Sequence, residues 1–534
     1  EEYLPLIAHE MGLAGTPPLE VDWRAGPPQR ALADFQVVII GAGESGLAAA
    51  IKLARLGIRY TIIEKNRTVG GTWFENRYPG CGVDTPNHFY QYSFAPNHAW
   101  SRYFAQRDEL WRYLEGVADR YQVRPHIRFN TEVTDAVWLE DTARWRIQAR
   151  DASGAMIELH ANALVCAVGQ LNRPRLPDIA GLRSFAGPAM HTAQWDDSVA
   201  LDGRRVAMIG TGASGMQVGP SIVDRVARLS IFQRSPHWAV HNPLYHAVVD
   251  AGKKWALANL PHYASWYRFQ LFWASADGLH ASLHVDPDWP TPDLSLNAAN
   301  HAMRERLIEH IFSEVGGDPA LLAKATPNYP PYGKRMLRDN GWYRMLRRAN
   351  VDLVTEPVAR IESDTIVTRD GERHPADVLV LATGFQADRL TWPMRIAGRG
   401  GVTLRDRWGE DDPRAYLGIT VPGFPNFFLM YGPNTNLAHG GSAIFHSECQ
   451  TRYTLLAIRE LLEGGRRSLE VRQDVHDDFN RRVDAAHDRL VWAHPGVGSW
   501  YKNRRGRVFA TSPWRLLDYW NFTRVFEPAE YRFG

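Results

Sequence analysis

The sequence predicts an α/β protein with two Rossmann-like dinucleotide-binding domains and a helical insertion. Three observations carry this. A glycine-rich loop at residues 39–46 (IIGAGESG) follows one apolar strand, and a second at residues 208–215 (MIGTGASG) follows another. Each loop opens a helix, so one strand–turn–helix unit occurs twice. Between residues 238 and 329 the alternation stops, and Trp266, Phe269 and Trp273 recur at helical spacing.

The first unit has its full context. Residues 35–40 form a β-branched strand that runs into Gly41, Gly43, Ser45 and Gly46. Residues 47–56 read as a helix stopped by Gly57, and residues 60–63 as a second strand ending at Glu64 and Lys65. Gly41 permits the tight turn, Gly43 lets backbone approach a pyrophosphate, and Gly46 lets the helix pack closely. The helix N-terminus offers N–H donors and a positive dipole to phosphate. Glu64 is placed to accept from ribose hydroxyls.

The second unit repeats the loop with Gly210, Thr211, Gly212, Ser214 and Gly215. Its second strand, residues 229–233, ends in Arg234 and Ser235 rather than an acid. A cation there suits a 2′-phosphate, so this nucleotide is expected to be NADPH rather than NADH.

Between the loops lies FAGPAMHTAQWD, residues 185–196, with His191 and Trp195-Asp196. Gly70-Gly71-Thr72-Trp73 follows the first unit, Asp84 and Tyr90 sit in GVDTPNHFY, and Lys334-Arg335 lies downstream. Taken singly, Asp84 before Thr85-Pro86 is a turn residue, His191 a structural histidine, and Lys334-Arg335 a solvated pair. Together they resemble a type I Baeyer–Villiger monooxygenase, dependent on FAD and NADPH. The C-terminal half resembles the branch containing 4-hydroxyacetophenone monooxygenase.

The resemblance implies that FAD lies on the first loop, at Gly41, Gly43, Ser45, Gly46, Glu64, Lys65, Gly71, Thr72, Trp73, Asp84, Tyr90, Val133 and Asn434. It implies NADPH on the second, at Gly210, Thr211, Gly212, Ser214, Gly215, Arg234, Ser235, Lys334, His191 and Trp500. The activity implied is insertion of one oxygen atom of O2 beside a ketone carbonyl, through a C4a-peroxyflavin, giving an ester or lactone. Aryl ketones are the expected substrates, with thioethers oxidised to sulfoxides. Catalysis falls to Arg335, a guanidinium that stays charged beside an anionic peroxide. Asp84 is expected to orient Arg335, and Lys334 to face the opposite way toward the 2′-phosphate. His191 is expected to act at a hinge and Trp500 on a mobile loop that closes over NADP.

The expected division is an N-terminal arm at 1–34 with one short surface helix, an FAD domain at 35–169 and 384–534, an NADPH domain at 170–237 and 330–383, and the insertion at 238–329. Relatives in the 4-hydroxyacetophenone branch carry an extra N-terminal domain, and the arm reads as its remnant or a linker from it. The insertion's aromatic stripe is expected to pack in the core. Asn434, Thr435 and Asn436 are expected to cap a helix facing the flavin.

Bulk properties narrow the alternatives. A chain of 534 residues supports roughly three domains. A net charge of +2, with both signs mixed, carries no nucleic-acid or polybasic membrane signature. No apolar run reaches the length of a membrane span. Cys81, Cys166 and Cys449 form no C-x-x-C and fit a cytoplasmic setting. His237, His241 and His246 lack metal-ligand spacing, so no metal is expected. No Gly-x-Ser-x-Gly supports hydrolase chemistry. A flavin N- or S-monooxygenase and an uncoupled NADPH oxidase stand as alternatives, and both a monomer and a homodimer are open.

Overall fold

Two five-stranded sheets organise the chain, each with a glycine loop at the end of its central strand. The computed structural model describes residues 1–13, 15 and 19–534. In the first sheet Gln36–Ile40 runs parallel to Arg59–Ile63 on one side and Ala163–Cys166 on the other. Ile127–Arg128 and Phe427–Leu429 complete its edges. The central strand is an unbroken apolar run because both of its faces are covered. Val37 and Ile39 pack into one buried cluster, and Val38 and Ile40 into another.

The helix Glu44–Arg55 packs against the long helix Ala443–Glu463. Val38 and Ile40 share their cluster with Trp138 and Trp145, which belong to the hairpin strands Thr131–Leu139 and Arg144–Asp151. Trp145 is fully buried, and its indole N–H donates to the carbonyl of Pro425 at 2.8 Å. A buried indole needs such a partner.

The second sheet runs Val351–Val354, Arg228–Phe232, Arg205–Ile209, Val378–Leu381 and Ala189–His191, all parallel. Part of the linker between the glycine loops is therefore an edge strand. In both sheets the loop opens beyond the carboxyl end of a central strand, where ligands bind in open α/β sheets.

Residues 238–329 contain the helices Ala251–Asn259, Tyr263–Ser275, Ala298–Glu314 and Pro319–Ala325. The aromatic stripe departs from the expectation of core packing. Phe269 is buried, whereas Trp266 and Trp273 are 42% and 45% exposed. Tyr263–Ser275 turns Arg268, Phe269 and Phe272 inward, and the two tryptophans lie along the exposed edge of that face, Trp266 stacked on Phe269 and Trp273 edge-on to Tyr3.

The arm also differs from the sequence reading. It holds two helices, Leu4–Glu10 and Gln29–Asp34, and the first docks inward through Leu6 and Glu10. The buried Arg268 explains this: its Nε donates to Glu10 at 3.0 Å and its Nη1 to the carbonyls of Phe89 and Gln91. A buried guanidinium needs such partners, and the arm supplies one of them. Among the described residues no helix is long and apolar enough to cross a membrane.

Candidate dinucleotide and active site

The first loop is shaped by its glycines. Gly41 has φ +101°, and a Cβ there would lie 2.7 Å from the carbonyl oxygen of Ala167. A Cβ on Gly46 would fall 2.0 Å from the Gly41 oxygen, so the helix can sit on the turn only without one. Gly43 serves differently. A Cβ there would meet only the Gly71 backbone, at 3.6 Å, and Gly71 has φ +49°. The two bare backbones face each other and form a cradle that fits a pyrophosphate.

Glu64 ends the second strand and is buried. Its carboxylate accepts from the N–H of Ala42 at 2.6 Å and of Asn66 at 2.8 Å. Burial pushes the carboxyl up, and these donors pull it back. Each oxygen keeps a second lone pair for a ribose hydroxyl. The N–H of Thr131 donates to the Glu64 carbonyl at 2.9 Å, which brings the buried Val133 strand alongside. Ser45 pairs with Ser447 at 2.8 Å between their hydroxyls. Lys65 turns outward and pairs with Glu75 at 2.9 Å, so its ammonium is engaged on the protein surface.

Thr72 opens the short helix Thr72–Glu75. The Trp73 indole N–H donates to the Tyr90 hydroxyl at 3.3 Å, and that hydroxyl donates to Glu44 at 2.7 Å. Burial pushes the Glu44 carboxyl up to about 7, against the Tyr90 hydrogen bond.

The second loop repeats the plan. Gly210 has φ +107°, with a Cβ position 2.4 Å from the Ala382 oxygen, and a Cβ on Gly215 would lie 2.4 Å from the Gly210 oxygen. A Cβ on Gly212 would meet nothing within 4 Å, so the front of this loop is open. The Thr211 hydroxyl donates to the Ser235 carbonyl at 3.3 Å, and Lys334 Nζ donates to the Ser235 hydroxyl at 2.6 Å. Arg234 is exposed beside them. Burial and then Arg234 depress the Lys334 ammonium to about 8. Two cations held together at the end of this strand make a receptor for an anion.

The loop leading to Asp84 is pinned to the second domain. The Tyr78 hydroxyl donates to Gln217 Oε1 at 2.9 Å, and Gln217 Nε2 donates to the Gly82 carbonyl at 3.0 Å. Ser214 reaches the same Tyr78 hydroxyl. A Cβ on Gly80 would lie 2.2 Å from the Ser221 hydroxyl, so this contact admits only glycine.

Lys334 and Arg335 do diverge. Lys334 goes to Ser235, while Arg335 Nη1 donates to the carbonyl of Leu437. The expected direct hold of Asp84 on Arg335 takes another form. The charge of Arg335, and after it that of Arg338, lowers the Asp84 carboxyl against a larger upward push from burial. It is Arg338 that contacts the Asp84 residue, its Nε donating to the main-chain carbonyl at 3.1 Å.

The other expected residues lie as follows. His191 is buried at the end of Ala189–His191, and its Nδ1 accepts from the N–H of Ala193 at 3.1 Å. Burial lowers its imidazole, which favours the neutral form. Trp500 is 39% exposed, with its ring 4.5 Å from that of Tyr501. Asn434 is not a helix cap. It sits at φ +56°, and its amide donates to the carbonyls of Val508 at 2.9 Å and Thr511 at 3.2 Å. Ser442 caps Ala443–Glu463 instead. Asn tolerates the left-handed turn that Asn434 makes, and its side chain is consumed holding the C-terminal loop.

A family model described as pyridine nucleotide-disulphide oxidoreductase matches residues 38–262. An uncharacterized monooxygenase of Sinorhizobium fredii is 43% identical over 532 residues, 99% of this chain and 79% of the relative. A Baeyer–Villiger monooxygenase of Streptomyces coelicolor is 36% identical over 504 residues, 93% and 92% of the two chains.

The chain belongs to the Baeyer–Villiger monooxygenase family.

A solved structure titled OTEMO in complex with FAD and NADP superimposes on this monooxygenase with a TM-score of 0.81 at 27% identity, over 94% of this chain and 99% of the other. Three residues in contact with the candidate site escaped the sequence reading: Glu44, Gln217 and Arg338. Glu44 had a signal, an acid inside a loop built for phosphate. Gln217 and Arg338 had none, because their partners at Gly82 and Asp84 are far away in sequence.

Proposed function

We propose that this chain is an FAD- and NADPH-dependent monooxygenase that inserts one oxygen atom of O2 beside a ketone carbonyl to give an ester or lactone. In balance, ketone, O2, NADPH and a proton give ester, water and NADP+. The observation that carries the reading is the divergence of Lys334 and Arg335, one toward the end of the second nucleotide strand and the other toward Leu437 and the field of Asp84. One dipeptide thereby serves two sites.

FAD, bound at the first loop, supplies the oxygen chemistry with electrons drawn from NADPH. The Gly43–Gly71 cradle takes its pyrophosphate, and Glu64 its ribose. Lys334, Arg234 and Ser235 hold the 2′-phosphate of NADPH. Arg335 stabilises negative charge as it develops on oxygen, and arginine suits this because it does not give up its proton. Asp84 and Arg338 set the field in which Arg335 works. Residues 35–169 and 384–534 serve FAD, and residues 170–237 and 330–383 serve NADPH. The resemblance to the 4-hydroxyacetophenone branch supports aryl ketones as substrates and thioethers as secondary ones. Three buried, unpaired cysteines suit the reducing cytoplasm.

The test is incubation with NADPH, O2 and a panel of aryl, cyclic and aliphatic ketones, with products read by mass. Ester or lactone sixteen mass units above the ketone is expected (roughly one added oxygen atom). A full panel with no ester contradicts the reading.

A further inference from the structure

Glu44 is an acid where the loop should receive an anion. It is the first residue of Glu44–Arg55, directly after Gly43 of the cradle. Among the described residues its side chain has one hydrogen-bond partner, the Tyr90 hydroxyl at 2.7 Å, and that hydroxyl is itself held by the Trp73 indole at 3.3 Å. Among the described residues no cation opposes it. The groups around it are mostly neutral. Tyr92 donates to its carbonyl, and Tyr90 and Tyr431 feel its charge. From the packed helix Ala443–Glu463 come Ser447, paired with Ser45, and Glu448, whose charge is answered by Arg268 and Lys52. The helix dipole would favour an ionised Glu44 in the empty site. A bound pyrophosphate claims that same dipole and adds like charge beside the carboxylate.

We propose that Glu44 is a cofactor-contacting residue that must be neutral when FAD is bound, so that FAD binding takes up one proton. The proposal rests on the assignment of the first loop to FAD. The proton comes from solvent and stays on the Glu44 carboxyl, and the bound state then places a neutral acid beside the phosphates. Burial, which already sets this carboxyl at about 7, works in the same direction. Below that value the free site is already protonated and affinity is flat. Above it each FAD bound must recruit a proton, and affinity falls with rising pH.

The test dilutes the holoenzyme at pH values from 6 to 9, roughly bracketing the Glu44 value, and reads released FAD by its fluorescence. For the wild type the FAD dissociation constant should rise about tenfold per pH unit above neutrality, the slope of one linked proton. In Glu44→Gln, which keeps the shape and the Tyr90 contact, it should change by less than about twofold over the same range. Infrared difference spectra of wild-type holoenzyme above neutral pH should show the carbonyl band of a protonated carboxyl, absent from Glu44→Gln. A flat wild-type profile, an equal slope in the variant, or no such band overturns the proposal. Failure to hold FAD even at the lowest pH would instead overturn the loop assignment, and the proposal with it.

Discussion

The side-chain amide of Gln217 donates to the Gly82 carbonyl at 3.0 Å while its oxygen accepts from the Tyr78 hydroxyl at 2.9 Å. One residue on the helix behind the second glycine loop therefore fixes the segment that carries Asp84. On the proposed assignment, this contact couples the NADPH-binding loop to the segment of Asp84. Replacing Gln217 by Leu leaves the Gly82 carbonyl without its side-chain donor and the Tyr78 hydroxyl with Ser214 alone, at about 1–3 kcal/mol in all. We expect a lower denaturant midpoint and a raised KM for NADPH. A variant unchanged in both measurements would show that the contact is incidental.

On the proposed assignment, Lys334 should set coenzyme choice. Its loss removes a charge-assisted hydrogen bond worth about 1.5–3 kcal/mol, so Lys334→Met should reduce the preference for NADPH over NADH by roughly ten- to a hundredfold. The ammonium of the free protein is depressed to about 8. It is charged below that value and neutral above it. KM for NADPH should therefore climb as pH passes from about 8 upward, while KM for NADH stays level. Parallel steady-state profiles for the two coenzymes decide this.

On the proposed assignment, Arg335 and Arg338 should have separable duties. Arg335→Ala should leave flavin reduction by NADPH nearly intact and abolish ester formation, by about 100-fold or more, the scale of losing one preorganised charge. Arg338→Leu removes the bond to the Asp84 carbonyl and one charge from the surroundings of Arg335, but keeps the Arg335 guanidinium and its contact with the Leu437 carbonyl. It should lower ester yield per NADPH by only about tenfold or less, the scale of one positioning hydrogen bond. Rapid-mixing spectra for reduction and product yields for oxygen transfer separate the two. Equal loss in both variants would remove the distinction.

Arg268 joins three parts of the chain. It pairs with Glu10 at 3.0 Å and Glu448 at 3.6 Å, and all three side chains are buried. Arg268→Met strands the Glu10 carboxylate and leaves Glu448 with Ser93 and the charge of Lys52, which should cost about 3–5 kcal/mol. The expected result is a large fall in unfolding midpoint, with Glu10→Gln milder because Glu448 keeps its partner. Calorimetry of both variants measures it.

These contrasts show where sequence suffices. The glycine turns were legible because local sterics dictate them: Gly41, Gly46, Gly210 and Gly215 each face a backbone oxygen that excludes a side chain. The divergence of Lys334 and Arg335 was legible from the geometry of extended backbone. Asn434 misled because an Asn-Thr-Asn run reads equally as a cap or a left-handed turn, and only the distant Val508 and Thr511 carbonyls choose the turn. Trp266 and Trp273 misled because spacing fixes a helix face, not what covers it. Arg338 and Gln217 depend on partners that no local pattern announces.

Labelled oxygen tests the central claim most directly. The enzyme is given NADPH, an aryl ketone that it accepts, and dioxygen labelled in both atoms. The expected product is an ester with one labelled atom in its bridging position, the other label appearing in water, and with Arg335→Ala yielding labelled hydrogen peroxide alone. An unlabelled ester, or peroxide as the only product of the wild type, would contradict oxygen insertion at this site.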